Sequence, residues 1–241
     1  MRDDRSQLLR AMSLNALGAI HLRSGQVKEA LTNYTEALLI RRQLLGDNHA
    51  DTAALYNNLG AIHQILGDLH RAQQHYHRSL TMRVDIFGLV HDDLAASHDN
   101  LGNVMTAQHE PMQTLEHHHR AMLIRLHLHG PYHAGTLTSL ERTIRAHVAL
   151  HEHDHAVLFS RRWLQANQTI HGEDHAATSK AYLTTAVELR EARMDVIQAN
   201  DYLQRAYRIR LKLYGPAHAD TLEVTNTMQK YNVTPKAPVA H

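Results

Sequence analysis

The sequence predicts an all-α solenoid of about five helical hairpins, 42 residues each, closed by one further helix. Three observations carry that reading. Gly-x-x-His recurs as Gly46/His49, Gly88/His91, Gly130/His133, Gly172/His175 and Gly215/His218, at spacings of 42, 42, 42 and 43 residues. Leu-Gly recurs in the same register at Leu17-Gly18, Leu59-Gly60 and Leu101-Gly102, and continues as Thr143-Ile144 and Thr185-Ala186. A third track, Ala-x-x-x-Tyr-x-x-small, runs through Ala30/Tyr34/Ala37 and Ala72/Tyr76/Ser79, then loosens to Thr114/His118/Ala121, Ala156/Ser160/Trp163 and Ala199/Leu203/Ala206. A fixed period of this length is the mark of stacked supersecondary units that cannot bury their apolar faces alone.

Each unit divides into two helices. Residues 52–66 carry Leu55, Leu59, Ile62, Ile65 and Leu66 at helical spacing until Gly67-Asp68 breaks the pattern. Residues 69–87 carry Leu69, Ala72, Tyr76, Leu80 and Phe87, with Gly88 as a C-terminal stop. Asp51, Asp93 and Asp220 fall where a first helix begins, and their charge favours its dipole. Gly18, Gly60 and Gly102 lie inside first helices, where Gly costs about 0.5–1 kcal/mol relative to Ala. Their recurrence implies that the partner helix comes too close for a methyl group. The expected units are 6–46, 47–88, 89–130, 131–172 and 173–215, with a capping helix over 218–231 and a disordered tail over 232–241.

Composition narrows the function classes. The chain has 241 residues, 25 basic against 24 acidic side chains, no Cys, and 12 aromatic residues beside 23 His. The charge balance gives no overall footprint for nucleic acid. Absent Cys removes disulfides, thiolate nucleophiles and thiolate zinc sites. No apolar run reaches the roughly 18 residues of a membrane span, and MRDDRSQLLR lacks a secretory core, so the expected address is cytoplasmic. No phosphate-binding glycine loop, nucleophile elbow or dinucleotide fingerprint is present, so no catalytic residue and no cofactor is expected.

The Leu-Gly and Ala-x-x-x-Tyr-x-x-Ala register resembles tetratricopeptide repeats, whose ordinary unit is about 34 residues. The longer unit, with GDNHADTAALYNNLG and GPYHAGTLTSL between hairpins, is similar to the kinesin light chain and nephrocystin-like subclass. The resemblance covers about residues 6–231 and weakens in the fourth and fifth units, where the interior glycine is Ile144 and Ala186. It implies a right-handed superhelix that acts as a non-enzymatic protein–protein adaptor, with first helices lining the concave wall.

Carried over by register, the wall-facing positions are Asn15, Asn57, Asn58, Asp99, Asn100 and Asn103 in the early units, and Glu141, Arg142, Arg145, Lys180 and Arg190 in the later ones. Amides donate and accept, so a row of them can hold an extended peptide backbone, while the cations would select acidic side chains. The expected partner is therefore an acidic peptide segment, with self-association through the hairpin ends as a further possibility. The alternative for Asn58 and Asn100 is that their amides bond the neighbouring hairpin.

His151-Glu152-His153-Asp154-His155 matches H-E-x-x-H, which would make a metal-dependent hydrolase of the chain through His151, Glu152 and His155. That chemistry needs one unbroken helix. The repeat register instead places His151 where Gly25 and Gly67 stand, in the turn between helices. A weaker expectation is metal capture by His147, His151, His153 and His155. His117, His118 and His119 are a second weak cluster, with His118 expected to pack as a ring. The Gly-x-x-His rings are expected to cap the next helix. Arg41, Arg83, Arg125 and Arg210 are expected to complement helix ends or cross to the next hairpin, and Trp163 to fill local space. So many rings gaining charge below pH 7 should destabilise the fold by self-repulsion.

Overall fold

The computed structural model describes residues 2–236 and contains eleven α-helices and no strand among them. They are α1 Arg2–Arg23, α2 Val27–Leu45, α3 Ala50–Ile65, α4 Leu69–Phe87, α5 Asp92–Ala107, α6 Pro111–His129, α7 Ala134–Ala149, α8 His153–His171, α9 Ala176–Glu191, α10 Val196–Tyr214 and α11 Ala219–Lys230. First helices α3, α5, α7 and α9 each span 16 residues, and second helices α2, α4, α6, α8 and α10 each span 19. The 42-residue period is thus one helical hairpin plus its two connections.

The chain divides into two compact units after Leu128. In the first, α2 packs against both α1 and α3, and α4 against both α3 and α5. In the second, α8 lies against α7 and α9, and α10 against α9 and α11. Within the units, α2, α4, α8 and α10 each bridge two first helices. The Ala track of the second helices makes this possible: Ala30, Ala37, Ala72, Ala121, Ala156, Ala199 and Ala206 are fully buried. Around them sit Leu55, Leu59, Ile62, Leu101, Val104, Leu189 and Leu203, also buried, each contributing about 1.5–3 kcal/mol relative to exposure. The core is aliphatic because helices this close leave little room for rings.

The interior glycines meet the rings that remain. A Cβ built on Gly18 would stand 2.7 Å from the Tyr34 ring, one on Gly60 2.7 Å from Tyr76, and one on Gly102 2.6 Å from His118. His118 packs where the first two units have Tyr. In the fourth unit the ring position holds Ser160 and the glycine position Ile144; in the fifth they hold Leu203 and Ala186, and all four are buried. Volume lost on one helix is regained on the other, which is what close packing requires.

All five hairpin turns use one backbone device. The amides of Gln26, Asp68, Glu110, Glu152 and Met194 donate five residues back, to His21, His63, Met105, His147 and Leu189 O, at 2.8–3.0 Å. This Schellman closure needs a left-handed residue before the donor. Gly25 and Gly67 supply it at φ 78°, but His109, His151 and Arg193 adopt φ of 60°, 58° and 53°. Tertiary packing thus imposes the turn where the glycine is missing. α11 ends the same way, at Asn232 (φ 56°) with Val233 N–H donating to Met228 O.

The recurrent histidines are N-caps. Nδ1 of His49, His91, His133, His175 and His218 accepts from the amide two residues on, at 3.1–3.2 Å. Four of these rings also lie against a ring four residues earlier, with centroids 4.1–4.5 Å apart: Phe87–His91, His171–His175 and Tyr214–His218 stack, and His129–His133 is tilted. A side chain thereby closes one second helix and opens the next first helix. Three of the recurrent arginines cross to the next first helix: Arg41 to Asp51, Arg83 to Asp93 O and Ser97, and Arg210 to Asp220 O and Glu223, whereas Arg125 turns back to Asp99 on the first helix of its own hairpin.

Beyond α11 the described chain is extended, and Gln204 holds it: Nε2 donates to Thr234 O at 2.7 Å and Oε1 accepts from Lys236 N–H at 3.0 Å. Residues 237–241 of the expected tail lie outside the described residues. α1 exposes an apolar stripe of Leu9, Met12 and Ile20. No helix among the described residues is long and apolar enough to cross a membrane.

Candidate functional site

In the first unit the wall-facing amides meet one another. Asn58 Nδ2 donates to Asn15 Oδ1 at 3.2 Å, and Asn100 Nδ2 to Asn57 Oδ1 at 2.8 Å, linking α1 to α3 and α3 to α5. Partners lie 43 residues apart, one more than the sequence period. The alternative weighed for Asn58 and Asn100 is therefore the observed arrangement: they tie adjacent hairpins. All four amides are only half-buried and use one bond each of the several an amide offers. Asn103 is half-buried on the next turn of α5.

Asp99 corrects its sequence assignment to the groove wall. It is 4% exposed, and its carboxylate accepts from Arg125 at 2.5 Å and pairs with His118 Nδ1 at 3.2 Å. Beside it, His98 and His117 share a hydrogen bond between Nδ1 atoms at 3.0 Å, buried between α5 and α6. Such a bond needs one ring to donate and the other to accept, which two imidazoliums cannot do. Burial pushes both rings down to about 4, reinforced by Arg120 and His77 on both, by His117 on His98 and by His118 on His117, against the opposing pull of Asp99 on His98 and of Glu116 on His117.

The second unit holds a groove of about 690 Å³ along α7 and α9, reaching α10 and α11. Its wall is charged. Lys180 Nζ donates to Glu141 Oε1 at 2.7 Å, and Arg145 reaches the same oxygen. Lys180 and Arg145 remain 48% and 71% exposed, so one carboxylate faces two accessible cations. Lys180 also stands 5.8 Å from the Trp163 ring, whose near-complete burial confirms its space-filling role. Arg142 is half-buried on the adjacent face of α7. Arg190 points away from this cluster, bonding Asn200 and Tyr231 O and lying over the Tyr231 ring. Deeper in the groove Glu188, 4% exposed, accepts from His153 Nδ1 at 2.9 Å. The repeat register already put Glu141 on the wall, whereas sequence spacing did not single out Glu188, because acids on a helix face are ordinary until their partners are seen.

The H-E-x-x-H segment is not one helix. α7 ends at Ala149, α8 begins at His153, and His151 holds the left-handed turn position between them. The hydrolase arrangement is therefore broken at its first ligand. Of the four candidate metal-binding histidines, His147 and His155 come together, with Glu152. His153 is taken by Glu188, and the His151 ring is 6.1 Å from that of His153.

Residues 9–84 match the family model described as tetratricopeptide repeat. Among solved structures, the chain is similar to kinesin light chain TPR-like repeats from Podosopora anserina, with a TM-score of 0.74 and 18% identity over 85% of this chain and 97% of that one. It is equally similar to BtubC (BKLC) from P. vanneervenii, with a TM-score of 0.74 and 18% identity over 100% of this chain and 89% of that one. YrrB, described as a TPR protein with an unusual peptide-binding site, aligns with a TM-score of 0.60 and 16% identity over 90% of this chain and 92% of that one. No curated protein matches the sequence. The chain thus has the fold of these tetratricopeptide-repeat structures, and residues 9–84 match the repeat by sequence as well.

Proposed function

We propose that the chain is a non-enzymatic adaptor whose first helices bind an extended, acidic peptide segment. One observation carries the acidic preference: Arg145 and Lys180, from two successive first helices, converge on the single carboxylate of Glu141 at the edge of a groove. That cluster bears net positive charge, and an incoming carboxylate would take the cation that Glu141 leaves undercompensated. The half-used amides of Asn15, Asn57, Asn58 and Asn100 are suited to hold peptide backbone. The chain displays such a grip on its own extended segment, where the Gln204 amide bonds Thr234 O and Lys236 N–H. The peptide-binding site named for the similarly folded YrrB supports the same class of function.

Exposed ion pairs contribute little each, so the affinity expected is on the order of micromolar, or about −8 kcal/mol, and should weaken with salt. A peptide array of acidic and charge-neutral sequences, read against the folded chain, tests the reading. Arg145→Glu/Lys180→Glu should abolish capture of acidic peptides while leaving the circular dichroism spectrum unchanged. Equal capture of both peptide classes, or unchanged capture by the double variant, would dismiss it.

A further inference from the structure

The turn between α7 and α8 carries a constellation that the peptide reading does not use. Donor atoms of His147, Glu152 and His155 all lie within 4.8 Å of one another. His147 Nδ1 is 2.8 Å from Glu152 Oε2, and His155 Nδ1 is 3.9 Å from the same oxygen. Ligand atoms held about 2.0–2.2 Å from a tetrahedral zinc are some 3.3 Å apart. The two separations from Glu152 bracket that value and the ligand nitrogens of the two rings lie within 4.8 Å of each other, so side-chain shifts of about an ångström admit an ion.

We propose that His147, Glu152 and His155 form a binding site for a zinc-class divalent cation, which straps the end of α7 to the start of α8. Two imidazoles and one carboxylate favour zinc and its transition-metal neighbours over magnesium or calcium, which prefer all-oxygen sets. The site is preorganised. Glu152 N–H donates to His147 O at 3.0 Å, so the Schellman turn itself fixes two ligands relative to each other. The buried His147 ring stacks with both Phe159 and His155, with centroids 5.2 Å away in each case. Glu152 and His155 stay accessible, at 39% and 62% exposure, which leaves the ion an entry path and room for water as a fourth ligand.

The other hairpins provide the internal comparison. At the same three turn positions they carry His21/Gln26/Glu29, His63/Asp68/Arg71, Met105/Glu110/Gln113 and Leu189/Met194/Ile197. One turn geometry recurs five times, and only the fourth copy holds two imidazoles and a carboxylate. Glu152 serves here as a ligand, not as the base that H-E-x-x-H chemistry would make of it, and His151 takes no part.

The test uses the full chain stripped with a chelator, Zn²⁺ titrated by calorimetry, and Co²⁺ followed by its visible absorption. One equivalent should bind ahead of weaker ones scattered over the remaining histidines, and should raise the melting temperature. His155→Ala and Glu152→Gln, both at accessible positions, should each weaken that equivalent by at least about tenfold. The Glu152 side chain makes no cap bond to α8 and the turn is closed by its backbone N–H, so its substitution leaves the turn intact. His151→Gly should keep the tight equivalent. The proposal is overturned if the tight equivalent survives both His155→Ala and Glu152→Gln, if His151→Gly loses it, or if the unmodified chain shows none.

Discussion

The Tyr76 ring stands 2.7 Å from the place a Cβ on Gly60 would occupy, and the near end of the ring, Cγ, is only 3.0 Å away. A ring blocked at its root cannot swing aside, so Gly60→Ala forces the helices apart. Overpacking costs about 1–3 kcal/mol, against which the better helix propensity of Ala returns about 0.5–1 kcal/mol. Gly60→Ala should therefore lower the melting temperature. Gly60→Ala/Tyr76→Leu, which copies the Ala186/Leu203 combination, should lose less than the two single changes together. A Gly60→Ala chain as stable as the original would refute the close approach.

His151 sits at φ 58°, where Gly25 and Gly67 sit at 78°. A left-handed conformation costs an ordinary residue about 1–2 kcal/mol, part of which glycine gives back through its freer unfolded state. His151→Gly should therefore stabilise the fold by about 0.5–1 kcal/mol, measured by urea denaturation. Inside a continuous helix the same change would destabilise by a similar amount, so the sign separates the two structures.

Asp99 and Arg125 form a nearly buried pair at 2.5 Å. Removing one partner strands the other's charge, a loss of about 3 kcal/mol or more. Asp99→Ala should show this in thermal melts. A variant melting like the original would return Asp99 to the pool of accessible ligand contacts.

Stability should fall on acidification, and the window follows from His98 and His117. Burial holds both rings near 4 in the folded chain, below the 6.5 of a free imidazole. Between those values the unfolded chain binds protons that the folded chain refuses. The contribution is complete above pH 6.5 and declines as pH falls toward about 4, by at most about 1.4 kcal/mol per pH unit for each ring. His63 and His75, also lowered chiefly by burial, act in the same direction. Melting temperature should drop between pH 7 and 5, and His98→Gln/His117→Gln should flatten the dependence. An unmodified chain with a flat profile would show that the pair is compensated.

The sequence by itself determined the period, the hairpins, the capping role of the Gly-x-x-His rings and the break at His151. These are local or repeated features, and chain geometry at one hairpin dictates the same answer at the next. The interior glycines also announced a close approach, because a costly residue that recurs in register must have a steric reason. Tertiary structure alone decided which side chains meet. The amide pairs lie 43 residues apart where the repeat is 42, so residues equivalent by sequence are not the ones in contact. Asp99 looked like a wall residue by register, yet the neighbouring Arg125 and His118 draw it inward. The grouping of His147, Glu152 and His155 likewise exists only because a turn folds positions five and eight residues on back against the first. Period fixes the phase of each helix, whereas separation, axial shift and rotamers between helices fix the partners.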